Sequence, residues 1–301
     1  MKQREKALRA CAANLALALL LAGCAAQTAG EQPPTSAPIE TPTESAQQTE
    51  TAGREPVQTT LRLLVVDGAE TGRLVLAGEN AYEFFALHTE NVPVYLDGAP
   101  ADASALEDGM TVEITYSGDI TQSQPAELIG AKSVSAWSRG TAQNPGGTTY
   151  DLCGLYLQVL EDLWARDEGL NHGAKYVSVD LSAAPGELSS AAKYAVAWVF
   201  ADRHGALPLT LTYDELLSQG YLTGAAPEAA DRYAVEWEDG LLFRITADEW
   251  ADGEHYSLPV IKFSAEKWRS PLGAYGFSQC TALWSQMGSW GGYNVGGEFI
   301  A

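Results

Sequence analysis

The sequence predicts a two-domain α+β protein, with a small all-β barrel followed by an α+β domain whose helices pack on one face of an antiparallel sheet. Three observations lead there. Between Thr59 and Trp137, apolar residues come in short runs separated by Gly, Asp, Asn and Pro, the pattern of brief strands and turns. From Leu152, apolar residues recur at helical spacing, and again from Ser189 to His204. Beyond Tyr233 the pattern returns to strands, so helices precede strands in the second half.

The N-terminal segment comes first. Lys2, Arg4, Lys6 and Arg9 make a basic start, Asn14 to Leu21 is almost wholly apolar, and Leu21-Ala22-Gly23-Cys24 follows. That order resembles a bacterial lipoprotein signal peptide ending in a lipobox, too short to be a spanning helix. The resemblance implies cleavage of residues 1–23, with Cys24 lipidated as the mature N-terminus. Two acyl chains on one residue anchor stably where one would be marginal. The expected location is the outer face of the cell membrane. Residues 25–58 are Thr, Pro, Glu, Gln and Ala with almost no large apolar side chain. Such a segment cannot offset the entropy of ordering, so 24–58 reads as a lipidated cysteine and disordered tether, roughly 30–35 Å end to end as a coil.

In the first domain, Leu61–Val66, Gly72–Ala77, Tyr82–Leu87 and Val94–Leu96 read as strands, and 103–108 as a helical turn. Met110, Val112, Ile114 and Tyr116 alternate with polar residues as a half-buried strand, and Leu128 to Ser135 closes the series. With Leu106-Glu107-Asp108-Gly109-Met110-Thr111-Val112, Tyr116-Ser117-Gly118 and Gln124-Pro125-Ala126, this series resembles the OB-like domain of small Gram-positive lipoproteins. Many OB domains bind oligonucleotides through a basic groove. Here Arg62, Arg73 and Lys132 face twelve acidic residues, which excludes nucleic acid as a partner.

Residues 138–149, with Asn144-Pro145-Gly146-Gly147, read as a linker. Beyond it, Leu152, Leu155, Tyr156, Val159, Leu160 and Leu163 predict a helix capped by Asp151 or Thr149. Tyr176–Leu181 predicts a strand. The helix over 189–204 is apolar on most sides and should be buried. Thr212 and Glu215 have capping-box spacing ahead of a short helix that Gly220 ends. Tyr233, Val235 and Trp237 alternate up to Asp239-Gly240, the signal of a type I′ hairpin that returns through Leu242–Thr246. Leu258–Phe263 predicts another strand, and Tyr275–Trp284 with Tyr293–Ile300 a last hairpin. The stretch from Lys267 to Tyr275, with Val179-Asp180-Leu181-Ser182, is similar to uncharacterised domains of Gram-positive envelope proteins. That resemblance implies a location and supplies no catalytic residues.

The chain carries a net charge of −21, and loss of residues 1–23 removes four basic residues and Glu5, taking it to −24. Such a surface repels anionic lipid, nucleic acid and wall polyanions, and permits cations and basic proteins. After the signal and Cys24, only Cys153 and Cys280 remain, which excludes a multi-cysteine metal site. Outside the membrane they have two fates, a disulfide or two separate buried thiols.

Asp248 to His255 is the richest acidic loop. Placing Asp248 and Gly253 at EF-hand positions one and six puts Trp250 and Pro259 where oxygen ligands belong, so a solvated turn is the better reading. His88, His172, His204 and His255 show no metal-ligand spacing, and no nucleophile elbow or phosphate loop occurs. No cofactor, metal or catalytic residue is assigned. Seven of the eight tryptophans lie between Trp164 and Trp290. Trp250, Trp284 and Trp290 fall near turns or strand ends, where exposed rings stack on ligands, and these are the expected contact residues. The sequence therefore predicts a surface lipoprotein with a non-enzymatic role, binding an envelope protein or small ligand. Two alternatives stand beside it: an envelope hydrolase whose site assembles only in three dimensions, and a sensor-type ectodomain regulating a membrane protein.

Overall fold

A computed structural model describes residues 58–138, 141, 151–224, 235–249, 259–284 and 290–301. The expected signal peptide, Cys24, the tether up to residue 57, most of the expected linker and Trp250 lie outside those residues.

The first sheet has eight strands. They are β1 (Thr59–Asp67), β2 (Arg73–Ala77), β3 (Phe84–His88), β4 (Val94–Leu96), β5 (Ala99–Ala101), β6 (Thr111–Tyr116), β7 (Ala126–Glu127) and β8 (Ser133–Ala136). Their order is β5-β4-β8-β6-β1-β2-β3-β7. Most pairs are antiparallel, but β3–β7 and β4–β8 run parallel. The expected closed barrel does not form: the sheet is open, with edges of three and two residues at β5 and β7.

The reason lies in β2 and β3, which bury both faces. Leu74, Leu76, Phe85 and Leu87 join one core with Leu63, Val65, Val112, Ile114 and Val134. Their neighbours Val75, Ala77 and Phe84, with Val66 of β1, point the other way into a second core that includes the helices. A barrel wall of this kind would present alternate residues to water. The unbroken apolar runs Leu74–Ala77 and Phe84–Leu87 mark strands covered on both sides instead.

The second half holds α1 (Leu152–Trp164), β9 (Tyr176–Asp180), α2 (Ser190–Arg203), β10 (Leu207–Leu209) and α3 (Tyr213–Ser218). Strands β11 (Gly240–Ala247), β12 (Val260–Ser270), β13 (Gly273–Trp284), β14 (Trp290–Asn294) and β15 (Gly297–Ile300) follow. The second sheet runs β10-β9-β11-β12-β13-β14, with β15 beside β14 along β13. It is mixed, not the expected antiparallel sheet, because β10–β9 and β9–β11 are parallel. Helix α2 is the crossover between β9 and β10, and Pro208 sits in a three-residue edge strand, where a missing N–H is tolerated. With 43% strand and 19% helix among the described residues and two mixed sheets, the fold is mostly β, and the expected α+β class is corrected accordingly. Gly53–Ala301 form one compact unit.

The helix boundaries follow their caps. Asp151 accepts the Gly154 N–H at 2.7 Å and starts α1. Ser189 accepts the Ala192 N–H at 3.0 Å and starts α2. Thr212 and Glu215 complete both bonds of the capping box, and Gly220 takes φ 78° after α3, a conformation glycine adopts without strain. Helix α2 is buried nearly all round: Ala191, Ala195, Val196, Ala197, Val199, Phe200 and Ala201 are almost fully enclosed.

The Asp239-Gly240 hairpin is absent. Glu236 makes only an isolated bridge to Thr223, and Gly240 opens β11, which pairs parallel with β9. The glycine is needed for close approach: a Cβ there would land inside the Trp237 indole. Trp237 fills a small core with Leu216, Leu222, Val235 and Leu242, beneath α3. The principal hairpin is β12–β13, turned by Pro271-Leu272, and both β14 and β15 return onto β13. We expect Gly240→Ala to destabilise the fold by about 1–3 kcal/mol through overpacking, seen as a lower urea midpoint with an unchanged m-value.

Candidate ligand-binding site

A cavity of about 720 Å³ opens where five segments meet. They are the first residue of α1, the 185–187 loop, the end of β11, the start of β12 and the start of β14. Leu152, Pro185, Val260, Ile261 and Trp290 supply apolar wall, and Glu187, Asp248 and Lys262 supply charge. This mix of apolar wall and few convergent polar groups is what small-molecule sites share.

Each wall has a local cause. The 185–187 loop is pinned by the buried Tyr156 hydroxyl, which donates to the Pro185 carbonyl. Burial pushes the Tyr156 phenol up, so it stays a donor. Gly186 has φ 81°, and a Cβ there would strike Leu152 Cδ1. Asp180 Oδ1 accepts the Ser182 N–H at 2.9 Å and its hydroxyl at 2.6 Å, which shapes the chain entering that loop. On the opposite side, the Ala247 N–H donates to the Ala183 carbonyl at 2.7 Å. The Asp248 N–H donates to the Lys262 carbonyl at 2.9 Å, and Ser264 Oγ donates to the Asp248 carboxylate. Asp248 is thus held with one carboxylate oxygen engaged.

The three expected contact tryptophans part ways. Trp290 lines the cavity. Trp284 is only 9% exposed and stands edge-on to Trp290, with centroids 5.2 Å apart at 74°. It backs the Trp290 ring instead of meeting ligand. The two are register partners of β13 and β14, which is why they touch. Trp250 lies outside the described residues. Sequence reasoning did not assign Glu187, Ile261 or Lys262 to a site. The Pro185-Gly186 turn dipeptide was the visible signal for that loop.

Cys153 and Cys280 are free and buried, the second of their two expected fates. Burial pushes the Cys153 thiol well up and that of Cys280 to about 12, so neither supplies a thiolate for exchange or nucleophilic attack. No group of three metal-ligating side chains occurs among the described residues. No helix among them is long and apolar enough to cross a membrane.

Two polar clusters lie away from the cavity. His204 Nε2 is 2.9 Å from Glu161 Oε2. Arg203 bridges Glu161 at 3.1 Å and Asp67 at 2.6 Å. The imidazole stacks on Trp164 at 3.9 Å. This dyad has the pairing of an acid–base site, but neither residue lines the cavity beside Trp290. Its geometry joins the end of β1 to α1 and to the C-terminal end of α2, where cationic side chains are favoured by the helix dipole.

The second cluster is Lys267, fully buried on β12. Its ammonium donates to the carbonyls of Trp164, Arg166 and Asp167 and to Asn171 Oδ1, capping the C-terminal end of α1. Arg269, two residues on, donates to the Leu170 and His172 carbonyls at 2.6 Å. The Lys267–Arg269 motif thus organises residues 164–172 and is structural.

The chain matches no protein-family model and no curated protein sequence.

Burial lowers the Lys267 ammonium from 10.5 to about 8, against the opposing pull of Asp167 and Glu168. Between those values the unfolded chain binds more protons here than the folded one, so stability rises with pH across that window. Urea titrations of the wild type and Lys267→Met should show the gap between them widening from pH 8 to 10.5. At neutral pH, Lys267→Met should cost about 2–4 kcal/mol, because three carbonyls and the Asn171 side chain lose a donor.

Proposed function

We propose that this protein is a lipid-anchored binding protein of the cell envelope, whose cavity beside Trp290 takes a small, mainly apolar ligand with a cationic end. The observation that carries the reading is the cavity itself: 720 Å³ of mostly apolar wall, with Glu187 and Asp248 among its lining residues. A chain of net charge −21 raises the local concentration of cations and disfavours anions. Apolar burial supplies the affinity, and the two carboxylates, against the single ammonium of Lys262, favour a cationic end.

The anchoring part rests on the basic start, the apolar run and Leu21-Ala22-Gly23-Cys24. It makes the membrane a partner through the lipid alone and leaves nucleic acid excluded by charge. The hydrolase alternative draws no support from the His204–Glu161 pair, which Arg203 and the Trp164 ring occupy.

Two measurements check this. An alkyne-tagged fatty acid fed to producing cells should label the wild type and leave Cys24→Ser unlabelled; an unlabelled wild type removes the anchor. Separately, 4-phenylbutylamine should raise the melting temperature where 4-phenylbutyrate does not. Trp290→Ala should lose that response by roughly tenfold in affinity while folding normally. Equal responses to amine and carboxylate, or none to either, would refute the assignment of the cavity.

A further inference from the structure

A second groove, about 330 Å³, lies at the β7 edge of the first sheet, where that edge meets α2. Tyr82, on the turn before β3, is 93% exposed, an unusual state for so large a ring. Tyr194, half-buried on α2, forms part of the same groove and stands edge-on to Phe84 at 5.1 Å. Phe84 in turn contacts Trp198 at 5.9 Å. The tyrosine that a ligand would meet is therefore backed by a rigid aromatic row. The chain between the Ile120 bridge and β7 supplies Gln122, Ser123 and Gln124. Ser123 Oγ donates to the Pro125 carbonyl at 2.9 Å and lies 2.5 Å from Thr121 Oγ1, which stiffens this segment. The carboxamides of Gln122 and Gln124 are exposed, and no hydrogen bond within the described residues engages them.

We propose that this groove binds a neutral oligosaccharide. A pyranose presents apolar C–H faces and a ring of hydroxyls that donate and accept. Aromatic faces match the first, and carboxamides, which also donate and accept, match the second. No charged side chain lines the groove, and a protein of net charge −21 repels anionic polymers. Charge thus selects an uncharged glycan over a polyanion. The cavity beside Trp290 shares no lining residue with this groove, so the two sites stand or fall separately.

The experiment titrates the folded protein with cellotetraose and chitotetraose by calorimetry, alongside a proline decapeptide as the competing aromatic-groove ligand. At least one tetrasaccharide should bind. Tyr82→Ala should weaken it roughly tenfold, with no change in melting temperature because the ring is solvent-exposed. Tyr194→Phe, which keeps the ring, should weaken it less than Tyr194→Ala. The Gln122→Ala/Gln124→Ala double variant should also weaken it, and Trp290→Ala should leave it unchanged. Absence of sugar binding up to about 10 mM, sugar binding indifferent to Tyr82, or binding of the decapeptide alone would each overturn the proposal.

Discussion

Helix α2 is covered on both sides, and the rest of the structure is arranged around that burial. Its alanines let backbone come close to the first sheet through Val66, Val75, Ala77 and Phe84, while Val177, Val179, Leu241 and Phe243 of the second sheet share the same core. Each fully buried large side chain there is worth about 1.5–3 kcal/mol relative to exposure, and a loss at any of them leaves a cavity as well. Both ends of the helix are tied to the first sheet by polar bonds. Ser189 Oγ donates to the Gly78 carbonyl at 2.6 Å, and Arg203 reaches Asp67 at 2.6 Å. A helix wedged in this way joins the two halves through one shared core, while the first sheet keeps a second core of its own on its other face.

The same wedge places the two candidate sites. Because α2 follows β9 as a parallel crossover, the loop carrying Pro185, Gly186 and Glu187 must pass over the first turn of α1, and Tyr156 holds it there. The cavity is the space left between that loop and the starts of β12 and β14. At the other side of the helix, Tyr194 emerges beside the short β7 edge, where the sheet runs out of strand to cover it. Polar satisfaction keeps both regions rigid. Lys267 and Arg269 take up the loose carbonyls after α1, so the helix that forms one cavity wall is fixed at its far end too.

Much of the local structure was legible. Asp151, one of two cap candidates with Thr149, and the Thr212–Glu215 box started their helices where the capping chemistry placed them, and the all-round apolar pattern of 189–204 announced a buried helix. The errors share one cause. Asp239-Gly240 is a hairpin signal only if its glycine serves φ, and here the glycine makes room for Trp237. The runs at 74–77 and 84–87 lacked alternation, a sign of two-sided burial that the strand-and-turn count of a barrel passed over. Of the aromatic trio, the strand-end position that made Trp284 and Trp290 look alike could not say which would back the other.

By itself the sequence determined which stretches become helices, the acidity of the chain, and the order of charge, apolar run and cysteine at the N-terminus, because each is set by neighbours along the chain. Tertiary structure alone decided the parallel pairing of β9 with β10 and β11, the open sheets, and which side chains line a cavity. Those outcomes depend on contacts between segments tens of residues apart, whose free energies are settled by what covers each face and leave no local pattern to read.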